Sequence, residues 1–225
     1  MADAVLKAFS VTEEYENTGG IIFAKTAVEA RRYGANEYAD GEFSNVSCRR
    51  APWADGYHDK ALPIGLMVDH GWHFECGHCG KRIDNDLLCE NGWSADDIIG
   101  TQHSLAYCNA ICEARDKLDA AIRDYHSKRW MRRFCKIVKR RFPDVEPVPG
   151  HSYVSMNNGK PRVEQVSVAF DFPGREYSLA QLRWDRNSSW PDERRKPRWS
   201  ISSGDNDAFR AFASAQKPLS TGPTS

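Results

Sequence analysis

Four of the seven cysteines fall into two close pairs, Cys76-Gly77-His78-Cys79 and Cys108-Asn109-Ala110-Ile111-Cys112. This spacing limits the fold more than any other feature. Two thiolates two or three residues apart can grip one ion from a single turn, and a second such pair closes a tetrahedral shell. Gly77 and Gly80 leave room for backbone amides to point at the sulfurs. A four-thiolate shell is closed, so it would support folding and would not itself catalyse. The expected ion is Zn2+, with Cys76, Cys79, Cys108 and Cys112 as ligands. His78, His103 or Cys89 could each replace one of them.

An odd cysteine count argues against a disulfide framework. Met1 to Ser10 has neither the basic start nor the apolar stretch of an export signal, and no apolar run approaches a membrane span of roughly 18 residues. The expected location is therefore the cytoplasm, without a membrane partner. Cys48, Cys89 and Cys135 are expected as small buried hydrophobes.

The pattern along the chain is α+β. An N-terminal β-α-β unit covers 1–65, with a possible further strand at Phe9 to Tyr15. Its helix starts at Ala27 behind a Thr26-x-x-Glu29 capping box and stops near Asp40-Gly41. A middle module, 66–142, holds both cysteine pairs and ends in a long helix from Cys112 to Phe142, stopped by Pro143. The apolar phase of that helix shifts between Tyr125 and Trp130, which predicts a bend or break near Ser127 or a change of packing partner. A third unit, 143–216, reads as a small antiparallel β unit with a hairpin turn at Asn157-Asn158-Gly159, followed by a disordered tail, 217–225.

Charge is unevenly spread although lysine plus arginine equals aspartate plus glutamate at 31 each. Zero net charge excludes a protein that coats nucleic acid by bulk charge. Residues 1–112 carry 9 basic and 17 acidic groups, residues 113–142 carry 11 and 4, and residues 143–225 carry 11 and 10. Within the long helix, Lys128, Arg129, Arg132, Arg133, Lys136, Lys139, Arg140 and Arg141 form an acid-free run. Helical spacing puts 129, 132, 133, 136 and 140 on one broad face, with Phe134, Ile137 and Val138 opposite. Such a stripe suits phosphates, and equally suits an acidic protein surface or an acidic part of the same chain. Arg183-Trp184, Trp190 and Arg194-Arg195-Lys196-Pro197-Arg198-Trp199 could add stacking and phosphate contacts, though packing is the stronger expectation for the tryptophans.

Two enzymatic patterns compete for the same region. His73-Phe74-Glu75 has the His-x-Glu form of zinc deaminases, but no proline precedes Cys108 and the second pair is one residue too wide. Asp69-His70 resembles the Asp-His of HNH nucleases, but here it precedes both cysteine pairs.

The 28-residue gap, 80–107, suits a zinc ribbon or a treble clef with an inserted loop. Tyr107-Cys108-Asn109-Ala110-Ile111-Cys112 resembles the strand-to-helix pair of treble-clef fingers of the TRASH and MYM kind, over about 40 residues. Gly20 to Lys25, Arg49-Arg50-Ala51-Pro52-Trp53-Ala54-Asp55 and Gly71-Trp72-His73-Phe74-Glu75-Cys76 resemble a type of uncharacterised protein encoded by bacteriophages and prophages, over roughly the first half. The first resemblance implies the shape of the site and little about activity; the second implies a phage setting and no activity. The expectation is a non-enzymatic zinc finger protein that contacts nucleic acid or a host machine that processes it. A protein–protein module without nucleic acid, or a zinc hydrolase, deaminase or nuclease using His73 and Glu75 or Asp69 and His70, are the alternatives.

Overall fold

The computed structural model describes residues 5–157, 162–189, 194 and 196–216. It is a mixed helix and strand protein that divides into two compact units, Met1–Asp116 and Lys117–Ser225.

The first unit opens with strands β1 (Lys7–Glu13) and β2 (Gly19–Ala24), helix α1 (Ala27–Tyr38) and strand β3 (Val46–Arg50). The three strands form an antiparallel sheet in the order β2-β1-β3. Thr26 starts α1 as the sequence implies: its hydroxyl accepts from the Glu29 amide at 3.2 Å, while the Glu29 carboxylate accepts from the Lys25 amide. The period-2 pattern of β1 gives each sheet face its own core. Phe9, Val11 and Ala24 pack with Ala30 and Ala35 of α1. Ala8 and Ile21 pack on the other side with Ala51, Ala54, Leu62 and Met67. Gly34 lets α1 lie close to the sheet, because a Cβ there would come within 2.2 Å of Val11 Cγ1. Met67 shares a core with Ala8 and Ile21, so chain on both sides of position 65 belongs to one packed body. The structure thus groups the N-terminal segment with the cysteine segment, where the sequence suggested a boundary.

Helix α2 (Ile64–Asp69), the two-residue strands β4 (Phe74–Glu75) and β5 (Arg82–Ile83), and helix α3 (Asn85–Asn91) complete this unit. Their core gathers Ile64, Val68, Ile83, Leu87, Leu88 and Ile98 around Cys76 and Cys108. Cys89, expected inside, is exposed, because α3 spends its two inward positions on Leu87 and Leu88. Cys48 and Cys135 are only partly buried.

Helix α4 (Ala110–Arg141) starts in the first unit and continues into the second. It runs without interruption, so there is no break near Ser127, and the change of packing partner is what the burial shows. Ile111, Leu118 and Tyr125 are 62%, 58% and 57% exposed, whereas Phe134 and Val138 are buried. At about 100° per residue, Leu118 and Phe134 lie on opposite sides of the helix. The apolar phase changes because the side of the helix that finds a core changes along its length.

The second unit packs the end of α4 and helix α5 (Asn206–Ala215) with a four-stranded antiparallel sheet. The strands are β6 (Tyr153–Met156), β7 (Val163–Phe170), β8 (Ala180–Asp185) and β9 (Arg198–Ser200), in that order. The core is aromatic. Phe142 meets Phe170, Trp199, Phe209 and Phe212 at centroid distances of 5.0–5.8 Å, and Trp130 stacks on Trp184 at 5.1 Å. Trp184 and Trp199 therefore serve packing. Trp190, Arg195, the Asn158-Gly159 turn and 217–225 lie outside the described residues.

Asp205, 1% exposed, sits just before α5 and binds the loop ahead of β8. Its carboxylate accepts from the amides of Glu176 (2.8 Å), Tyr177 (3.2 Å) and Ser178 (3.1 Å). Burial alone would raise its pKa, but these three amides and Arg175 hold it below the usual carboxylate value. A carboxylate depressed on folding stabilises fully above its unfolded pKa of about 3.9 and loses that contribution as pH falls through the lower folded value. Urea melts should therefore show Asp205→Asn clearly less stable than wild type at pH 7, with the gap closing toward pH 2. A gap that stays constant with pH would contradict this role.

Candidate metal centre

The first cysteine pair is built by a tight turn between β4 and β5, which pair through Phe74 with Ile83 and Glu75 with Arg82. The Cys76 amide donates to the Lys81 carbonyl (2.9 Å) and the Gly80 amide to the Cys76 carbonyl (3.0 Å). Gly80 closes the turn at φ 68°, in the left-handed region that glycine enters at least cost. The Gly77 amide reaches the Ala106 carbonyl at 2.8 Å and so ties this turn to the segment before Cys108. That segment is held on its other side by Tyr107 and Ile99, whose amides and carbonyls exchange bonds of 2.8 and 3.1 Å.

The second pair straddles the start of α4. Asn109 caps the helix, its side-chain oxygen accepting from the amides of Ile111 (3.0 Å) and Cys112 (3.1 Å). This places Cys112 in the first turn, one turn away from Cys108. The Tyr107 hydroxyl donates to Asp116 at 2.8 Å, which fixes the approaching chain against the second turn of the helix. The spacing of the cysteines was readable, but these supports were not singled out. Asn109 was the legible one, a cap residue immediately before a helix.

All four sulfurs lie within 4.8 Å of one another, and Cys79 Sγ is 3.6 Å from Cys108 Sγ. A tetrahedral thiolate site with metal–sulfur bonds of about 2.3 Å has sulfur–sulfur edges of about 3.8 Å. The cluster therefore fits one metal ion after a small closure. Cys76 and Cys108 are buried, Cys112 is partly buried and Cys79 is exposed, so the site lies at the edge of its core. Burial opposes ionisation of Cys76, but the amides of Cys79, Cys108 and His78 outweigh it and bring the thiol down to about 6. Cys112 is pushed up to about 11, first by burial and then by its bonds to, and the charge of, Cys76 and Cys79. Cys108 is raised strongly for the same reasons. Negative charge at Cys76 thus opposes ionisation of Cys108 and Cys112, and a bound cation would remove that opposition.

Among the described residues, the histidines and carboxylates of the competing patterns do not join this cluster. His70 stacks on Trp53 at 4.1 Å, and His70 and His73 line a polar cleft with Trp72 and Arg82. His103 is exposed and Cys89 lies on the outer side of α3. Arg82 pairs with Asp84 at 2.9 Å.

The cationic run is on the part of α4 that belongs to the second unit. Arg129, Arg132, Arg133, Lys136 and Arg140 are exposed and border one shallow depression together with Tyr125 and Ile137. Ile137 was expected on the opposite face and instead borders the stripe, while Phe134 and Val138 are buried. None of those five cations makes an ion pair among the described residues. Lys128 and Lys139 differ: Lys128 pairs with Asp124 at 2.8 Å and Lys139 pairs with Glu146. Arg132 Nε also donates to the Lys128 carbonyl (3.2 Å), and Arg133 lies over the Trp130 ring at 5.4 Å.

The chain matches no family model, no curated protein and no solved structure.

Replacing Cys108 with serine should cut bound metal from about one equivalent to a small fraction, since a closed four-ligand site loses its shell with one ligand. Elemental analysis after desalting reads this directly. The loss should also speed amide exchange in 74–83 and 106–112. A Cys108→Ser protein that kept a full equivalent would rule out the four-sulfur site.

Proposed function

We propose that this is a zinc-stabilised, non-enzymatic binding protein that contacts nucleic acid through the cationic face of α4. The observation that carries the reading is that stripe. Five exposed cations stand on one helix face without ion-pair partners among the described residues, within a unit that counts 21 basic against 12 acidic side chains. The other unit counts 10 against 19. A rigid helix holds the five charges in place before any ligand arrives, which lowers the ordering cost of binding.

Zinc is the ion proposed for the cysteines, because four thiolates within 4.8 Å of one another suit it best in a reducing compartment. A turn between two short strands supplying one pair, and a helix start supplying the other, supports a treble-clef-like site. In this reading the zinc is structural and fixes the start of α4. A regulator or inhibitor of a host nucleic-acid-processing machine, working in the host cytoplasm, is the role proposed for such a binder, and the resemblance to phage and prophage proteins bears on that setting alone.

Binding through phosphates has a quantitative signature. With about five phosphates neutralised, the logarithm of the duplex association constant should fall with the logarithm of salt at a slope near −4 to −5. Arg132→Glu combined with Arg133→Glu should weaken binding by at least about tenfold at low salt and flatten that slope. Unchanged circular dichroism would show that the fold is intact. Absence of binding by wild type at low salt would overturn the proposal.

The exposed apolar side chains of α4, Leu118 and Tyr125, favour a second reading as a protein–protein module. In that case the double variant would leave nucleic-acid affinity unchanged.

A further inference from the structure

The sheet of the first unit changes character along one face. Ala8, Ser10 and Thr12 alternate onto the same side of β1. At the Ala8 end that side is apolar and covered, Ala8 and Ile21 packing with Ala51, Leu62 and Met67. At the other end the register sets Ser10 beside Arg49, and Thr12 between Gly19 and Ser47. A cleft of about 500 Å3 lies at this small, polar end. Ser10 and Thr12 line it together with His70, Trp72 and His73, at and just after the end of α2, and Arg82 of β5.

The fold leaves many of these groups unused. Among the described residues, the hydroxyls of Ser10 and Thr12, the carboxamide of Asn17 and the ring nitrogens of His70 and His73 make no hydrogen bond. Two walls are nevertheless held in place. His70 stacks on Trp53 at 4.1 Å with the rings 10° from parallel, and Trp72 packs against the core that contains Ala8 and Met67. Arg82 gives its Nε to Asp84 and keeps its terminal nitrogens, so it adds donors more than net charge. Arg49, beside Ser10, is exposed and makes no ion pair among the described residues.

Donors dominate the lining. Hydroxyl, imidazole, carboxamide, indole and guanidinium groups each offer at least one proton. Among the described lining residues the one carboxylate is Glu16, in the β1–β2 turn. A ligand rich in acceptors suits such a wall. A carboxylate has two oxygens, whereas a phosphate monoester has three terminal oxygens and close to two charges. Ser10 and Thr12 stand two residues apart on one strand, about 7 Å, so hydroxyl bonds of about 2.7 Å can reach two oxygens of one phosphate. A phosphate fills only a small part of the cleft, and the remaining space suits an organic group attached to it.

We infer that this cleft binds an organic phosphate monoester, with the phosphate held by Ser10, Thr12, His73, Arg82 and Arg49. A free mononucleotide and the phosphorylated end of a nucleic-acid strand both carry that group. The inference concerns the first unit and does not depend on the cationic stripe of α4.

The test uses the full zinc-loaded chain. Calorimetry compares AMP with adenosine, and fluorescence anisotropy compares oligothymidine of about 8 nucleotides carrying a 5′-phosphate with its 5′-hydroxyl twin. The oligomer arm is run in the Arg132→Glu/Arg133→Glu background, which removes the α4 contribution. The phosphate should strengthen binding by about tenfold or more in at least one arm, the size expected for a few charge-assisted hydrogen bonds. A preference for AMP alone assigns the site to free nucleotides, and a preference between the oligomers assigns it to strand ends. Ser10→Ala combined with Thr12→Val should weaken the preferred ligand by about tenfold or more, and Arg49→Gln, an exposed change, severalfold. Glu16→Gln should tighten it. Unchanged circular dichroism and zinc content would show that these variants are folded. Equal binding with and without the phosphate in both arms overturns the inference. So does a phosphate preference that survives undiminished in both the Ser10→Ala/Thr12→Val and the Arg49→Gln proteins.

Discussion

Convergence of four sulfurs at the start of a long helix is the constraint on which the cysteine region depends. The strands that carry the first pair are two residues each, far too short to hold a hairpin by themselves. The core beneath them is modest and counts two of the ligating cysteines among its members. Four sulfurs so close together cannot all ionise without a cation among them, and an ion bound only in the folded chain contributes its binding energy to folding. The cap at Asn109 and the Tyr107 to Asp116 bond then carry that constraint into the first two turns of α4.

From that anchored start, α4 shows how one helix can meet different demands along its length. Leu118 and Tyr125 leave apolar surface exposed on one side of the helix, and from Arg129 to Arg140 the same side is cationic. Only in the second stretch does the helix bury an apolar side, where Trp130, Phe134 and Val138 join the aromatic core. Charge follows the same division, acidic residues dominating the first unit and basic residues the second. A neutral chain can thus present a strongly basic surface locally.

Features set by short-range spacing were legible in the sequence. The Thr26 cap located α1 because its bond to the Glu29 amide spans only four residues, although the Glu29 carboxylate turns to the Lys25 amide and not to that of Thr26. The cysteine pairs announced the cluster because each pair forms within one turn, and the antiparallel strands of the C-terminal unit followed from β-rich runs between turn signals. Features set by long-range contact were not legible. The phase shift in α4 left a bend, a break or a change of partner open, because the sequence does not say which side of the helix finds a core. Cys89 looked buried because composition cannot tell which face of α3 turns inward.

Zinc K-edge X-ray absorption on the protein as purified tests the central claim most directly, because it reports the ligand atoms themselves. A first shell of four sulfurs at about 2.3 Å is the predicted result. A first shell containing nitrogen or oxygen, or a preparation free of stoichiometric metal that keeps the fold of residues 74–112, would contradict it.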